Sequence, residues 1–337
     1  MTTAPLLSSR PTRRGLAAAM ALAAAASGAV PARAQPRRWV PEREVRIING
    51  FAAGGAADAL CRMLAEALRP IFGQTVVVET RTGANGFLAA EAAARAAPDG
   101  HAVALATMGM LTISPNLPGV RLPLAVETDL APVAALAGIP VALMVYPNAP
   151  FRDVPELIAY ARAHPDGVAY GSAGAGSSPH LAAAMFAHLA DLRMVHVPYR
   201  GGAPAMVDLI AGRVQMMIGN LPEFLGAVRA GQLRAIAHGS DRPPAVLPDL
   251  PPISQFLPGY DASNWFGMVG SSRLPAEIVA AWNEALNQAL QDETVRRRMA
   301  ELGMEPLGGT AQAFGARIAR ERRRWAEVIR AANIRAE

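Results

Sequence analysis

The feature that most constrains this 337-residue chain is the alternation, from residue 45 onward, of short runs rich in β-branched residues with amphipathic helical ones. Strands are expected over 45–49, 76–79 and 102–106, with helices over 57–68 and 87–96. The middle restarts the pattern: helices over 154–163, 181–190, 205–211 and 223–230 alternate with strands over 168–171, 194–197, 215–218 and 233–237. A proline-rich bridge over 243–258 leads to a strand at 265–269 and two terminal helices, 276–292 and 311–332. Because a parallel strand pair needs a crossover segment, usually a helix, this alternation predicts an α/β architecture with parallel sheets. The length suits two domains. The simplest arrangement is two parallel-sheet lobes joined by a two-stranded hinge, with crossings near 139–145 and 259–265. It divides the chain into 35–141 plus 261–337 as the first lobe and 142–260 as the second.

Two apolar stretches have to be separated from membrane spans. Arg13-Arg14 precede an alanine-rich run over 15–30, and Ala32-Arg33-Ala34 supplies small residues for cleavage. Residues 1–34 therefore read as an export signal cleaved near Ala34, and a periplasmic location is expected. The paired arginines fit the twin-arginine route and an ordinary secretory signal alike. The run over 130–145 is interrupted by Pro132, Gly138 and Pro140, which predicts two short buried strands with a turn at Gly138-Ile139-Pro140.

The formal charge of +5 belongs mostly to that leader. Four of the 32 basic residues and none of the 27 acidic ones precede residue 35, so the remainder carries 28 against 27, a net charge of +1. Every basic residue is arginine, and a basic run, Arg322-Arg323-Arg324, lies in the last predicted helix. It reads as a solvated helix face, and no nucleic-acid partner is expected. Cys61 is the only cysteine, so the chain has no internal disulfide; within a helix and without a neighbouring histidine, it reads as a buried inert thiol.

Three glycine-rich segments each connect a predicted strand to a helix: Phe51 to Asp58, Gly171 to Ser178, and Pro198 to Pro204. In an α/β sheet such loops lie at the carboxyl ends of the strands, where ligands dock. Their amides point outward at helix starts, and the helix dipole favours an anion there. In the second loop Ser178 suits the N-cap and Pro179 the first helical position, leaving Ser172 and Ser177 free to donate to a ligand. Only Asp58 and Arg200 carry charge in these loops, which argues for an anion held by neutral donors, with Asp58 capping its helix. The competing reading is that the glycines merely turn the chain.

Enzyme signatures are missing. Without lysine a P-loop is excluded, Gly174-Ala175-Gly176 lacks the third glycine of a dinucleotide fingerprint, and no G-x-S-x-G elbow occurs. The six histidines form no H-x-x-x-H pair, so neither a metal nor a cofactor is expected. A hydrolase using Ser172 or Ser177 would need a base, and none neighbours either serine in sequence. His180, at a helix start, reads equally as cleft lining or as helix-end packing.

Several ordered stretches nevertheless carry a resemblance. They include Val45-Arg46-Ile47-Ile48 before the Phe51 loop, Gly83-Ala84-Asn85-Gly86, Ala97-Pro98-Asp99-Gly100, and Val195-His196-Val197-Pro198-Tyr199-Arg200-Gly201-Gly202-Ala203-Pro204. Asn220-Leu221-Pro222, Trp265-Phe266-Gly267 and Gly308-Gly309-Thr310 complete the set. Over essentially the whole mature chain the sequence resembles the substrate-binding receptors of tripartite tricarboxylate transporters, the Bug family. The resemblance implies a two-lobe periplasmic binding protein of the type II class that closes over a carboxylate, a membrane permease as partner, and a monomer without catalytic residues. Carried onto this sequence, it implies a first-lobe wall of Phe51, Ala53, Gly54, Gly55, Ala56, Thr107 and Met108. The second-lobe wall would comprise Ser172, Ala173, Ala175, Ser177, Ser178, His180, Tyr199, Gly201, Pro204 and Asn220.

The departures from the family pattern are at Ala53, Ala56 and Ala57, where proline, glycine and threonine are usual, at Met108 and Met110, where small polar residues are common, and at Ala175, where asparagine is common. They suggest a carboxylate anchored by backbone amides and an aryl or alkyl body. The alternative is that Met108 and Met110 pack beneath the loop. Transport of the bound carboxylate is the leading expectation, and presentation of it to a signalling partner is the second.

Overall fold

In a computed structural model, the residues described are 39–240, 242–331 and 334–335; the expected leader lies outside them. A six-stranded sheet is built from β1 (Val45–Asn49), β2 (Val76–Thr80), β3 (Ala102–Thr107), β4 (Leu130–Ile139), β10 (Asn264–Ser271) and β11 (Glu305–Pro306), in the order β11-β4-β10-β3-β1-β2. A five-stranded sheet has the order β7-β6-β8-β5-β9, from β5 (Val141–Val145), β6 (Ala169–Ser172), β7 (Val195–Pro198), β8 (Met216–Asn220) and β9 (Arg234–His238). The βαβ portions pair in parallel, β1 with β2 and β3, and β6 with β7 and β8. Both sheets are mixed, because the strands that carry the chain between them, β5 and β10, run antiparallel to their neighbours.

Helices α1 (Ala56–Phe72), α2 (Phe87–Arg95), α7 (Ala276–Ala289), α8 (Glu293–Glu301) and α9 (Ala311–Ala331) accompany the first sheet. The second sheet carries α3 (Val154–Ala163), α4 (Ser178–Leu189), α5 (Gly202–Ile210) and α6 (Leu221–Arg229). Side-chain alternation assigns each strand residue to one of two cores. Ile47, Val103 and Leu105 join Leu60, Leu64 and Trp282 on one face of the first sheet, whereas Ile48, Ala104 and Ala106 join Phe87, Trp265 and Trp325 on the other. Each face is covered, which is why these strands read as nearly continuous apolar runs.

The expected strands and helices are present to within a few residues, with three instructive differences. The run over 130–145 does not turn back: β4 and β5 are separated by Pro140 alone, and the chain passes from one sheet to the other there. The helix expected over 276–292 ends at Ala289, and a further helix that the sequence reading did not expect, Glu293–Glu301, follows it, capped by Asp292, which accepts from the Thr294 and Val295 amides. The basic run is more than a solvated face: Arg322 pairs with Glu127, and Arg324 bonds to the carboxylate and carbonyl of Asp261, tying α9 to the return crossing. Cys61 is buried; burial, reinforced by Asp58, holds its thiol far above the ordinary range. No helix among the described residues is long and apolar enough to cross a membrane.

Candidate functional site

The carboxyl ends of the parallel strands from both sheets converge on one small cavity. Four helices point their first turns at it. Gly55, Ala56 and Ala57 come from α1, Ser177, Ser178 and Pro179 from α4, Gly201, Gly202 and Ala203 from α5, and Asn220 and Glu223 from α6. The starts of α1, α5 and α6 have no side-chain cap. The first amides of a helix have no partner within it, and here no side chain caps them: Gly55 and Gly201 have none, and that of Asn220 is turned to Glu223 and Asn264. Amides with the positive end of a helix dipole behind them are anion donors.

The first wall is held rigid from behind. Asn49, fully buried at the end of β1, bonds through its amide to both the N–H and the carbonyl of Phe51. Asp58, expected as the helix cap, acts from the third helical position: its carboxylate accepts from the Gly54 amide at 3.1 Å and from Arg62 at 2.9 Å. Gly54 has a left-handed backbone (φ 82°), and Gly55 is the N-cap. The carboxylate thus points away from the cavity while the amides of Gly55 to Ala57 remain beside it.

The second wall is polar. The N-cap of α4 is Ser177 rather than Ser178, its hydroxyl oxygen accepting from the His180 amide. Of the two serine hydroxyls at the cavity, that of Ser178 does not cap α4. Ser172 is buried behind the loop, where its Oγ accepts from the Gly174 amide and lies 2.6 Å from His196 Nε2. The sequence showed no base beside this serine; the fold supplies one by placing β7 next to β6. His196 in turn stacks on His180 with ring centroids 3.9 Å apart, and Tyr170 lies alongside the pair, 5.1 Å from His196 and 6.4 Å from His180. Burial, with His196 adding repulsion, pushes His180 down to about 3, and burial pushes His196 down to about 4. Both rings are neutral at pH 7 and support the loop from below. The Ser172–His196 pair faces the interior, and Ser172 does not line the cavity.

The two walls touch. Asn85 Nδ2 and Ser114 Oγ, on the first-sheet side, both donate to the carbonyl of Gly176, at 3.0 and 3.2 Å. Gly176 has φ 74°, and a Cβ there would lie 2.6 Å from Ser114 Oγ, so the contact requires glycine on two counts. The lobes are therefore closed on one another.

Of the residues expected at the site, the cavity gathers Phe51, Gly55, Ala56, Thr107, Ala173, Ser177, Ser178, Gly201 and Asn220. Ala53 and Gly54 are exposed at the loop tip. Ala175 and Tyr199 line a neighbouring cleft of about 800 Å³, open to solvent and flanked by Arg121 and Arg200. Pro204 lies further along α5, and His180 and Ser172 sit behind the loop. Met108 and Met110 are packed in the first-lobe core with Phe87 and Leu181, off the cavity wall, so the apolar lining comes from Phe51 and Phe266 instead. Asn85, Phe266 and Glu223 are wall residues that sequence reasoning did not single out. For Glu223 a signal was present: an acid three residues beyond the N-cap Asn220 lies on the first turn facing whatever the helix start faces. Among the described residues no cluster of His, Cys, Asp and Glu could hold a metal ion.

Residues 60–334 match the model of a family described as the tripartite tricarboxylate transporter family receptor. A UPF0065 protein of Pseudomonas sp. strain P51 is 34% identical over 320 residues, covering 94% of each chain. The protein BugT of Bordetella pertussis is 32% identical over 296 residues, 86% of this chain and 89% of its own. Among solved structures, an R. palustris protein with adipate superposes with a TM-score of 0.84 at 32% identity, over 88% of this chain and 99% of its own. MatC from Rhodopseudomonas palustris with bound malate gives 0.81 at 29% identity, over 86% and 99%.

Proposed function

Because the chain belongs to the tripartite tricarboxylate transporter receptor family, and is a solute-binding receptor rather than an enzyme, we propose that it captures a small organic carboxylate between its lobes, in the periplasm, and delivers it to a membrane permease. The observation that carries this reading is the convergence of four helix N-termini, three without side-chain caps, on one cavity with no cationic side chain in its wall. Each hydrogen bond from such an amide to a charged ligand contributes about 1.5–3 kcal/mol. Four to six of them, less the cost of ordering, suffice for roughly −8 kcal/mol, which is micromolar binding.

The ligand carboxylate would sit between the α1 start and Ser178, with its body against Phe51 and Phe266. Lobe 35–141 plus 261–337 would supply the first wall and lobe 142–260 the second. The relatives solved with adipate and with malate support a carboxylate as the ligand class. The apolar side chains favour an alkyl or aryl acid over a highly charged one. A thermal-shift panel of mono-, di- and tricarboxylates, read beside mass spectrometry of whatever co-purifies, tests this. Stabilisation by adipate or an aryl acid is expected; a preference for citrate would overturn the apolar reading, and no response to any acid would overturn the carboxylate one.

A further inference from the structure

One cavity residue does not fit a plain anion site. Glu223 stands in its wall, half-buried, on the third residue of α6. Its carboxyl lies so close to Gly202 that a Cβ there would fall 1.3 Å from Oε2, so glycine at 202 is what makes room for it at the start of α5. An acid in this place would repel the ligand that the surrounding amides attract.

The polarity of the bonds around Glu223 is fixed from the hinge. Asn264, on the crossing strand β10, accepts the Trp265 amide on its Oδ1, so its Nδ2 must be the donor to Asn220 Oδ1, at 2.7 Å. Asn220 must then present its own Nδ2, which donates to Glu223 Oε1 at 2.9 Å. Oε1 is thereby committed as an acceptor, and a proton on this carboxyl belongs on Oε2. The elements packed around the cavity bring no compensating charge. The loop over 51–57, the start of α4, the start of α5, Thr107 and Phe266 contribute only neutral groups; Asp58 faces Gly54 and Arg62, and Arg200 lies on the outer cleft. Two carboxylates in one small buried site cannot both stay ionised, and the pair shares a proton.

We propose, resting on the carboxylate-receptor reading, that Glu223 contacts the ligand and that each carboxylate binds together with one proton, taken from solvent and held between Glu223 Oε2 and a ligand oxygen. The helix amides then hold a single negative charge divided between two carboxyl groups. Burial, opposed by the Asn220 bond, already pushes the Glu223 carboxyl up to about 7 in the free protein, so the cost of taking up the proton is small near neutral pH.

The test is calorimetric titration with adipate and with malate between about pH 6.5 and 9, where both are fully ionised, in buffers of different ionisation enthalpy. Wild-type protein is expected to take up a proton with each ligand at the alkaline end, and to lose affinity about tenfold per pH unit above the free carboxyl's midpoint. Glu223→Gln, whose amide mimics the protonated acid, is expected to bind without proton uptake and with affinity independent of pH. Wild-type binding without proton uptake, or an equal pH slope in both proteins, would overturn the inference while leaving the receptor reading intact. Should the variant fail to fold, the wild-type buffer series decides alone. Failure of wild-type protein to bind either probe, or any acid of the carboxylate panel, at any pH would overturn the carboxylate reading, and this one with it.

Discussion

The two walls of the cavity reach the same electrostatic end by different means. The first, from Phe51 to Ala57, offers backbone amides and apolar surface, and keeps its one acid, Asp58, turned away. The second offers Ser178, Asn220 and Glu223, and rests on a stack of two histidines. Backbone donors cannot titrate or rotate, so on the proposed reading the first wall would be a fixed anchor. Side-chain donors answer to pH and to the shape of the ligand, so discrimination would fall to the second. A receptor divided this way can change cargo by substitution in one lobe without rebuilding the other.

The largest effect is expected from the fixed wall. At Gly55 a Cβ would meet nothing nearer than the Ala52 carbonyl at 3.5 Å, and its φ of −81° is open to any residue. Gly55→Val should therefore fold normally while its methyl groups block the approach to the α1 amides. Losing about two charge-assisted bonds predicts a loss on the order of a hundredfold in affinity for adipate by calorimetry. An unchanged affinity in a folded variant would remove the anchor from this wall.

A smaller effect is expected where the walls meet. Asn85→Gly suits the left-handed backbone at that position (φ 53°) and deletes the Asn85 bond to Gly176. At about 1 kcal/mol per bond, affinity should fall about fivefold. Small-angle scattering of the free protein should show a larger radius of gyration than in the wild type; no expansion would mean that this bond does not hold the lobes together.

The smallest effect is a pH dependence of stability, and it belongs to the second wall. His180 and His196 titrate below their ordinary value, so the unfolded chain binds more protons between about pH 4 and 6.5. Their contribution is present above about pH 6.5 and is lost as the pH falls through the folded values. Glu223 works in the other direction: its raised value gives a contribution present at acid pH and lost as the pH rises through about 7. Melting temperature against pH should thus fall on the acid side in wild-type protein, and less steeply in His196→Gln. A variant as acid-sensitive as the parent would relieve the histidine stack of this role.

Much of this arrangement was legible in the sequence, for identifiable reasons. Strands buried on both faces announce themselves as apolar runs, and the loops at their carboxyl ends announce themselves by glycine. Helix starts were less legible. Those of α4, α5 and α6 begin two or three residues before the apolar periodicity does, because Ser178-Pro179, Gly202 and Leu221-Pro222 are good first-turn residues with no stripe to show. That offset hid Glu223, which reads as an exposed surface residue until α6 is extended back and Gly202 opens a place for it. The Ser172–His196 contact was hidden differently, since it depends on which strands become neighbours. Met108 and Met110, which the sequence left open between wall and core, are settled by a third feature: after β3 the chain enters a π-helical turn, Gly109–Ile113, which rolls both side chains into the core.

The paired donation to the Gly176 carbonyl has a consequence for selectivity. Bonds that hold the lobes shut bias the resting ensemble toward the shape that binds. Such a bias strengthens the capture of every acid by the same factor and favours none over another. On the proposed reading, breadth and tightness of binding would be separately adjustable, the first at residues 220–223 and the second at one carbonyl oxygen.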